Sequence, residues 1–169
     1  MLTVVLLITP VTRSATQPTR PLVPSRVAPT LQEARVLVGT WELTDFTRRA
    51  TDGRVTRPWG NHPAGQITYD GEGQMMALLM HESRNEASGR PSMREVEAEF
   101  SAYFGSYTVD PAQRVITHHV RGSLNAERAS GDLRRNYELN DGALILTFTR
   151  PQDGATNTLV WKRMSRPSR

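Results

Sequence analysis

The chain has 169 residues, enough for one domain with a single core, and its 37% apolar and 22% charged residues give a globular composition rather than a disordered or membrane one. The formal charge of +4 does not mark a nucleic-acid binder, because all 17 acidic residues lie between Glu33 and Asp153 and the basic excess sits in the ends, at Arg13, Arg20, Arg26, Arg166 and Arg169. Residues 31–164 set sixteen basic against seventeen acidic side chains and so lack the concentrated basic face that phosphate binding requires. With no cysteine, disulfides, thiolate catalysis and cysteine-type zinc sites are excluded.

In chain order, residues 1–15 open with an apolar run from Leu2 to Ile8 and close on Ser14-Ala15, the outline of a secretory signal, with secreted or periplasmic location as the expectation. The run falls short of the roughly 20 apolar residues a membrane span needs. Pro18, Pro21, Pro24 and Pro29 then make an extended linker, so residues 1–30 are expected to precede the folded domain. Residues 31–38 form a helical turn or two that closes the base of the domain with Leu31, Val36 and Leu37. Residues 165–169 are a basic tail, leaving 31–164 as the domain.

From Gly39 the apolar period becomes two, the spacing of strands. Strands are expected at 40–49, 54–58, 65–70, 74–81, 104–110, 113–122, 131–140, 143–149 and 157–164. Asp52-Gly53, Asp70-Gly71, Asp141-Gly142 and Asp153-Gly154 supply the positive φ that short hairpins use. Successive hairpins at this spacing describe an all-β, antiparallel up-and-down barrel, closed so that no strand edge is exposed. Residues 92–103 break the pattern: Ser92 and Glu95 have capping-box spacing, and Met93, Val96, Phe100 and Tyr103 recur at helical intervals. This predicts one short amphipathic helix at a barrel mouth, preceded by a polar stretch, 81–91, as a candidate gate.

Alternate strand residues face a barrel's interior. The expected inward rows are Met76, Leu78 and Met80; Leu144, Leu146 and Phe148; Ile67 and Tyr69; and Leu159, Trp161 and Arg163. Arg135 shares a face with Leu133, Tyr137 and Leu139, and His118 shares one with Ile116 and Val120, whereas His119 points the other way. An inward Arg and an inward His are costly unless paired or facing water. Asp45 and Glu42 are the internal acids that could pair with Arg135; otherwise the interior accepts an acidic or carbonyl-bearing ligand. Neighbours on a strand cannot ligate one ion from the same side, so His118-His119 does not indicate a metal, and no cofactor is implied. Tyr103 and Tyr107 flank the junction of helix and strand near the mouth. At the other end, Gly39 allows a tight entry, Trp41 lays a ring across the floor, and Arg163 can stack on it.

Leu37-Val38-Gly39-Thr40-Trp41-Glu42-Leu43, His62-Pro63-Ala64-Gly65-Gln66-Ile67-Thr68-Tyr69, Ala102-Tyr103-Phe104-Gly105-Ser106-Tyr107, Leu133-Arg134-Arg135-Asn136-Tyr137-Glu138-Leu139 and Leu159-Val160-Trp161-Lys162-Arg163 together resemble the bacterial lipocalin-like domain family, a calycin-type barrel, from about Leu37 to Met164. The resemblance implies a barrel of about eight to ten strands with a ligand-sized interior. It implies little about activity, because the fold hosts carriers, inhibitors and enzymes.

Two functional readings follow. In the first, the barrel is a non-catalytic binder of a small, largely apolar molecule with an acidic or carbonyl group, contacted by Tyr69, Met76, Met80, Tyr107, His118, Arg135, Tyr137 and Phe148. Its partner is that small molecule, with neither nucleic acid nor a membrane span involved. In the alternative, the barrel is an isomerase or cyclase with His118 as general acid/base and Arg135 as oxyanion stabiliser. A fully packed barrel serving as an interaction module is a third.

Overall fold

In a computed structural model of the chain, which describes residues 35–86, 92–125 and 131–165, the domain is a closed antiparallel barrel of eight strands with one extra strand at its rim. The signal-like start, the linker, Leu31 and much of the gate stretch lie outside the described residues. The strands are β1 (Gly39–Arg49), β2 (Val55–Thr56), β3 (Ala64–Tyr69), β4 (Gln74–Met80), β5 (Phe100–Asp110), β6 (Val115–Ser123), β7 (Gly131–Asn140), β8 (Ala143–Thr149) and β9 (Thr156–Arg163). Each barrel strand pairs with the next barrel strand in sequence, and β1–β9 pairing closes the ring. The extra strand, β2, pairs only with the end of β1 and is shorter than the expected 54–58.

The floor is built as its residue types require. Arg163 stacks its guanidinium 4.1 Å from the centre of the Trp41 ring and donates to the carbonyls of Val38, at 2.9 Å, and Val36. The Trp41 indole N–H donates to the Leu37 carbonyl at 2.9 Å. Gly39 has φ +141°, and a Cβ there would stand 2.6 Å from Arg163 Nη1, so the position admits only glycine without displacement. Above it Trp41, Trp161, Tyr69, Tyr137, Ile67, Ile116 and Leu144 fill the closed half of the barrel.

Three local features depart from the alternation read in sequence. On β4, Met75, Ala77 and Leu79 face inward, while Met76 and Leu78 are 53% and 42% exposed on the outside; Met80 is half-buried at the rim. Residues 75–80 are apolar on both faces, so alternation there carries no phase; the preceding turn sets it. Asp70 Oδ1 accepts from the amides of Glu72 and Gln74, and the resulting hairpin pairs Met75 with inward Tyr69. On β1 a bulge between Leu43 and Asp45 switches the phase. Phe46 and Arg48 thereby follow Trp41 and Leu43 inward, and Asp45 turns out to meet Arg57 at 3.0 Å. Glu42 is exposed as well, so neither acid enters the barrel to meet Arg135.

The third departure is the helix, α1 (Met93–Glu99). Its capping box is present, with the Ser92 amide donating to Glu95 Oε2 at 2.7 Å and the Glu95 amide to Ser92 Oγ at 3.3 Å. It ends at Phe100, because from there the chain pairs with β4, starting at Met80↔Phe100. Phe100 and Tyr103 therefore belong to β5, and Tyr103 enters the barrel wall rather than a helix face. Among the described residues, no helix is long and apolar enough to cross a membrane.

The floor clasp yields a stability prediction. Arg163→Ala, which loses the ring contact and charged donors to two carbonyls, should cost about 2–4 kcal/mol in urea unfolding, against less than about 1 kcal/mol for a surface control such as Arg134→Ala.

Candidate functional site

The open half of the barrel contains a cavity of about 150 Å³. Its lower wall is apolar, from Ile67, Leu79, Leu146, Leu159 and Trp161. Phe46 and Trp59, edge to face at 5.5 Å, and Phe148 form an aromatic collar. The polar lining is Arg48, Arg135, Arg150, Asn157, Ser101 and Tyr103; no carboxylate lines the cavity among the described residues. The interior is therefore not packed throughout. Wider hollows of about 430 and 470 Å³ lie beside the exposed Leu78, both broadly open to the surface.

The arginines are held differently. The Arg135 guanidinium lies 3.8 Å from the Phe148 ring centre, and its Nη1 donates to the Arg134 carbonyl at 3.0 Å. The bulge in β1 delivers Arg48, which forms an ion pair with Asp153 of the β8–β9 turn. Arg150 follows Phe148 by two residues and so shares its inward side. Asn157, only 2% exposed, is paired in register with Arg48 on one side and Phe148 on the other.

Beneath this level a polar chain crosses the core. His118 is fully buried, with Tyr69 Oη 2.7 Å from Nε2 and Tyr103 Oη 3.1 Å from Nδ1. A neutral imidazole has one donor and one acceptor nitrogen. The shorter distance suits donation by the Tyr69 hydroxyl to Nε2, and the longer suits Nδ1–H donating to Tyr103; we assign the tautomer on that basis. Burial, then the nearby Arg135 and His119, lowers the His118 pKa to about 3. Burial likewise pushes Tyr69 well above the usual phenol range. Both groups are neutral near pH 7, and Tyr103, not His118, reaches the cavity. That geometry removes His118 from direct contact with anything bound there, as an acid/base role would require.

The residues expected to form the site are thus dispersed. Arg135 and Phe148 meet at the cavity. Tyr69, His118 and Tyr137 lie in the packed core below it. The Tyr107 hydroxyl donates to the Asp70 carbonyl at 2.7 Å near the closed end, and its ring packs on Tyr69 at 4.8 Å. Met76 stands outside the barrel and Met80 borders one of the open hollows, both displaced by the phase of β4. Arg48, Arg150 and Asn157 were not among the expected contacts. The phase of Leu159, Trp161 and Arg163 extends to Asn157 and identifies it; only the bulge reveals Arg48.

The outward His119 is held between Asp132, Nδ1 to Oδ1 2.7 Å, and the Thr108 hydroxyl, 3.0 Å from Nε2. His81 and His62 lie at the rim, where the His62 amide donates to Glu82 at 2.8 Å and His81 Nδ1 accepts from the Ser83 amide at 3.1 Å. Among the described residues no three His, Asp or Glu side chains converge as metal ligands would.

The buried imidazole gives a pH prediction. Because its folded-state value lies below the ordinary 6.5, the unfolded chain takes up the proton first. The His118 contribution is therefore complete above about pH 6.5 and is lost as pH falls toward 3. The difference in unfolding free energy between wild type and His118→Gln should shrink on acidification, by at most about 1.4 kcal/mol per pH unit. Urea titrations of both proteins from neutral to acid pH measure it, and a pH-independent difference would contradict the assignment.

A profile of the lipocalin-like domain family matches residues 38–164. No curated protein matches the chain. Among solved structures it is similar to a de novo designed fluorescence-activating β-barrel, at 14% identity and a TM-score of 0.42, covering 78% of this chain and 96% of that one. The chain belongs to the lipocalin-like domain family.

Proposed function

We propose that this member of the lipocalin-like family binds a small, largely apolar molecule carrying an anionic or carbonyl group, with the apolar part in the barrel and the polar group toward the mouth. The observation that carries the reading is the cavity's division: aliphatic and indole surface below, three arginines above, and no lining carboxylate among the described residues. An apolar pocket with a few convergent polar groups is the usual form of a ligand site. Guanidinium groups only donate hydrogen bonds, so they favour a ligand that accepts them.

The cavity's size narrows the ligand. A closed apolar cavity of roughly 150 Å³ accommodates benzene. The space here is about 150 Å³, open at the polar end, so a single ring with one polar substituent is the fitting size.

Benzoate and toluene probe the two halves of the reading. By isothermal titration calorimetry, the full chain should bind benzoate more tightly than toluene. Arg135→Leu should weaken benzoate about 10- to 100-fold, the worth of a charge-assisted hydrogen bond, and leave toluene within about threefold. Equal losses for both ligands would remove Arg135 as the anchor, and failure of wild type to bind either would remove the binding reading.

A further inference from the structure

The arginines account for a ligand's acceptor oxygens, but not for Asn157. This residue is 2% exposed, lies on the inward row of β9 with Leu159 and Trp161, and lines the cavity. Register sets it between Arg48 on β1 and Phe148 on β8, and Phe148 carries the Arg135 guanidinium. It is thus at the centre of the polar level. Among the described residues no group hydrogen-bonds its carboxamide, whose oxygen and nitrogen are open to the cavity rather than sealed in the wall. Buried polar side chains are nearly always hydrogen-bonded, and an unpartnered one calls for an explanation.

The chemistry of a carboxamide differs from that of its neighbours. A guanidinium or an indole N–H only donates, whereas a carboxamide donates through its NH₂ and accepts through its oxygen. Lower in the wall, the Trp161 N–H is a donor sealed without a partner among the described residues. The Asn157 oxygen is therefore an acceptor among the arginines, beside the hydroxyls of Ser101 and Tyr103, that a donor on the ligand can meet. A plain carboxylate leaves that oxygen unmet; a ring bearing both a carboxylate and a hydroxyl meets it.

We propose that Asn157 is the specificity-determining residue of the cavity and that it selects cyclic hydroxy acids, reading the hydroxyl while the arginines hold the acid. The proposal rests on the binding reading above and names the ligand class within it. A site that hydrogen-bonds a ligand hydroxyl disfavours the analogue lacking it, because its own buried polar group is then left unpaired.

The test compares benzoate with the three monohydroxybenzoate isomers by calorimetry, on the full chain and on Asn157→Leu and Asn157→Ala. Wild type should bind at least one isomer about tenfold or more tighter than benzoate, and both variants should reduce that preference below about threefold. The ligand-free melting temperature of Asn157→Leu should equal or exceed that of wild type, since an apolar group replaces an unpartnered polar one. Asn157→Ala keeps the binding comparison available if the leucine disturbs folding. Arg135-dependent benzoate binding with no preference for any isomer would overturn the role of Asn157 and leave the binding reading intact. A preference that survives both substitutions would also overturn it, assigning the hydroxyl to another residue. Absence of binding by all four acids would overturn both.

Discussion

The clasp of Arg163 on Trp41 is the interaction on which the rest of the barrel depends. One side chain from the last strand stacks on the first strand's ring and holds two carbonyls of the segment leading into that strand. It brings β1 and β9 together at one height, which fixes the register of the one barrel pair whose strands come from opposite ends of the domain. With that end plugged by two indoles, two phenols and branched aliphatics, the remaining interior volume is at the opposite end. The location of the cavity is thus a consequence of how the floor is sealed.

The interior has two polar levels with different status. The lower one, Tyr69–His118–Tyr103, satisfies its imidazole from both sides and keeps it neutral. Such a network belongs to the scaffold: it orients strands β3, β5 and β6 and places the Tyr103 ring at the cavity wall. The upper level mixes a partly exposed ion pair at the mouth, a stacked guanidinium and a carboxamide open to the cavity. A folded chain tolerates such a concentration of donors where solvent or a bound molecule completes it. The boundary between the two levels separates the residues that hold the barrel from those that face its contents.

Much of this was legible in the sequence, for identifiable reasons. Trp41, Arg163, Phe148, His118 and Arg135 lie on stretches where polar and apolar residues alternate, so period two fixes their side. Met76 and Met80 were unreadable because Met75 through Met80 is apolar throughout and phase came from the Asp70 turn. Arg48 was hidden by a single extra residue in β1, which inverts everything after it. Tyr103 read as helical because Met93, Val96, Phe100 and Tyr103 keep a helical spacing across what is a change of element. The ladder with β4 decides that segment, and no local pattern contains it. The arginine cluster was thus only one-third visible: Arg135 obeys simple alternation, whereas the bulge and the start of the β8–β9 turn govern the others.

The same floor clasp has a consequence for how the barrel assembles. All barrel pairings but one join successive strands of the ring, each reachable by closing a comparatively short loop. The exception ties Arg163 to Val38 across 125 positions, the separation that slows folding most through chain entropy. Ring closure is therefore a natural late event, after a meander of hairpins has formed. Until it occurs, both terminal strands present open edges to other chains. Trp41 and Trp161, buried to 1% on either side of the seam, pass from solvent to core in that step. The side chains that seal the barrel are thus also fluorophores placed to report its closing.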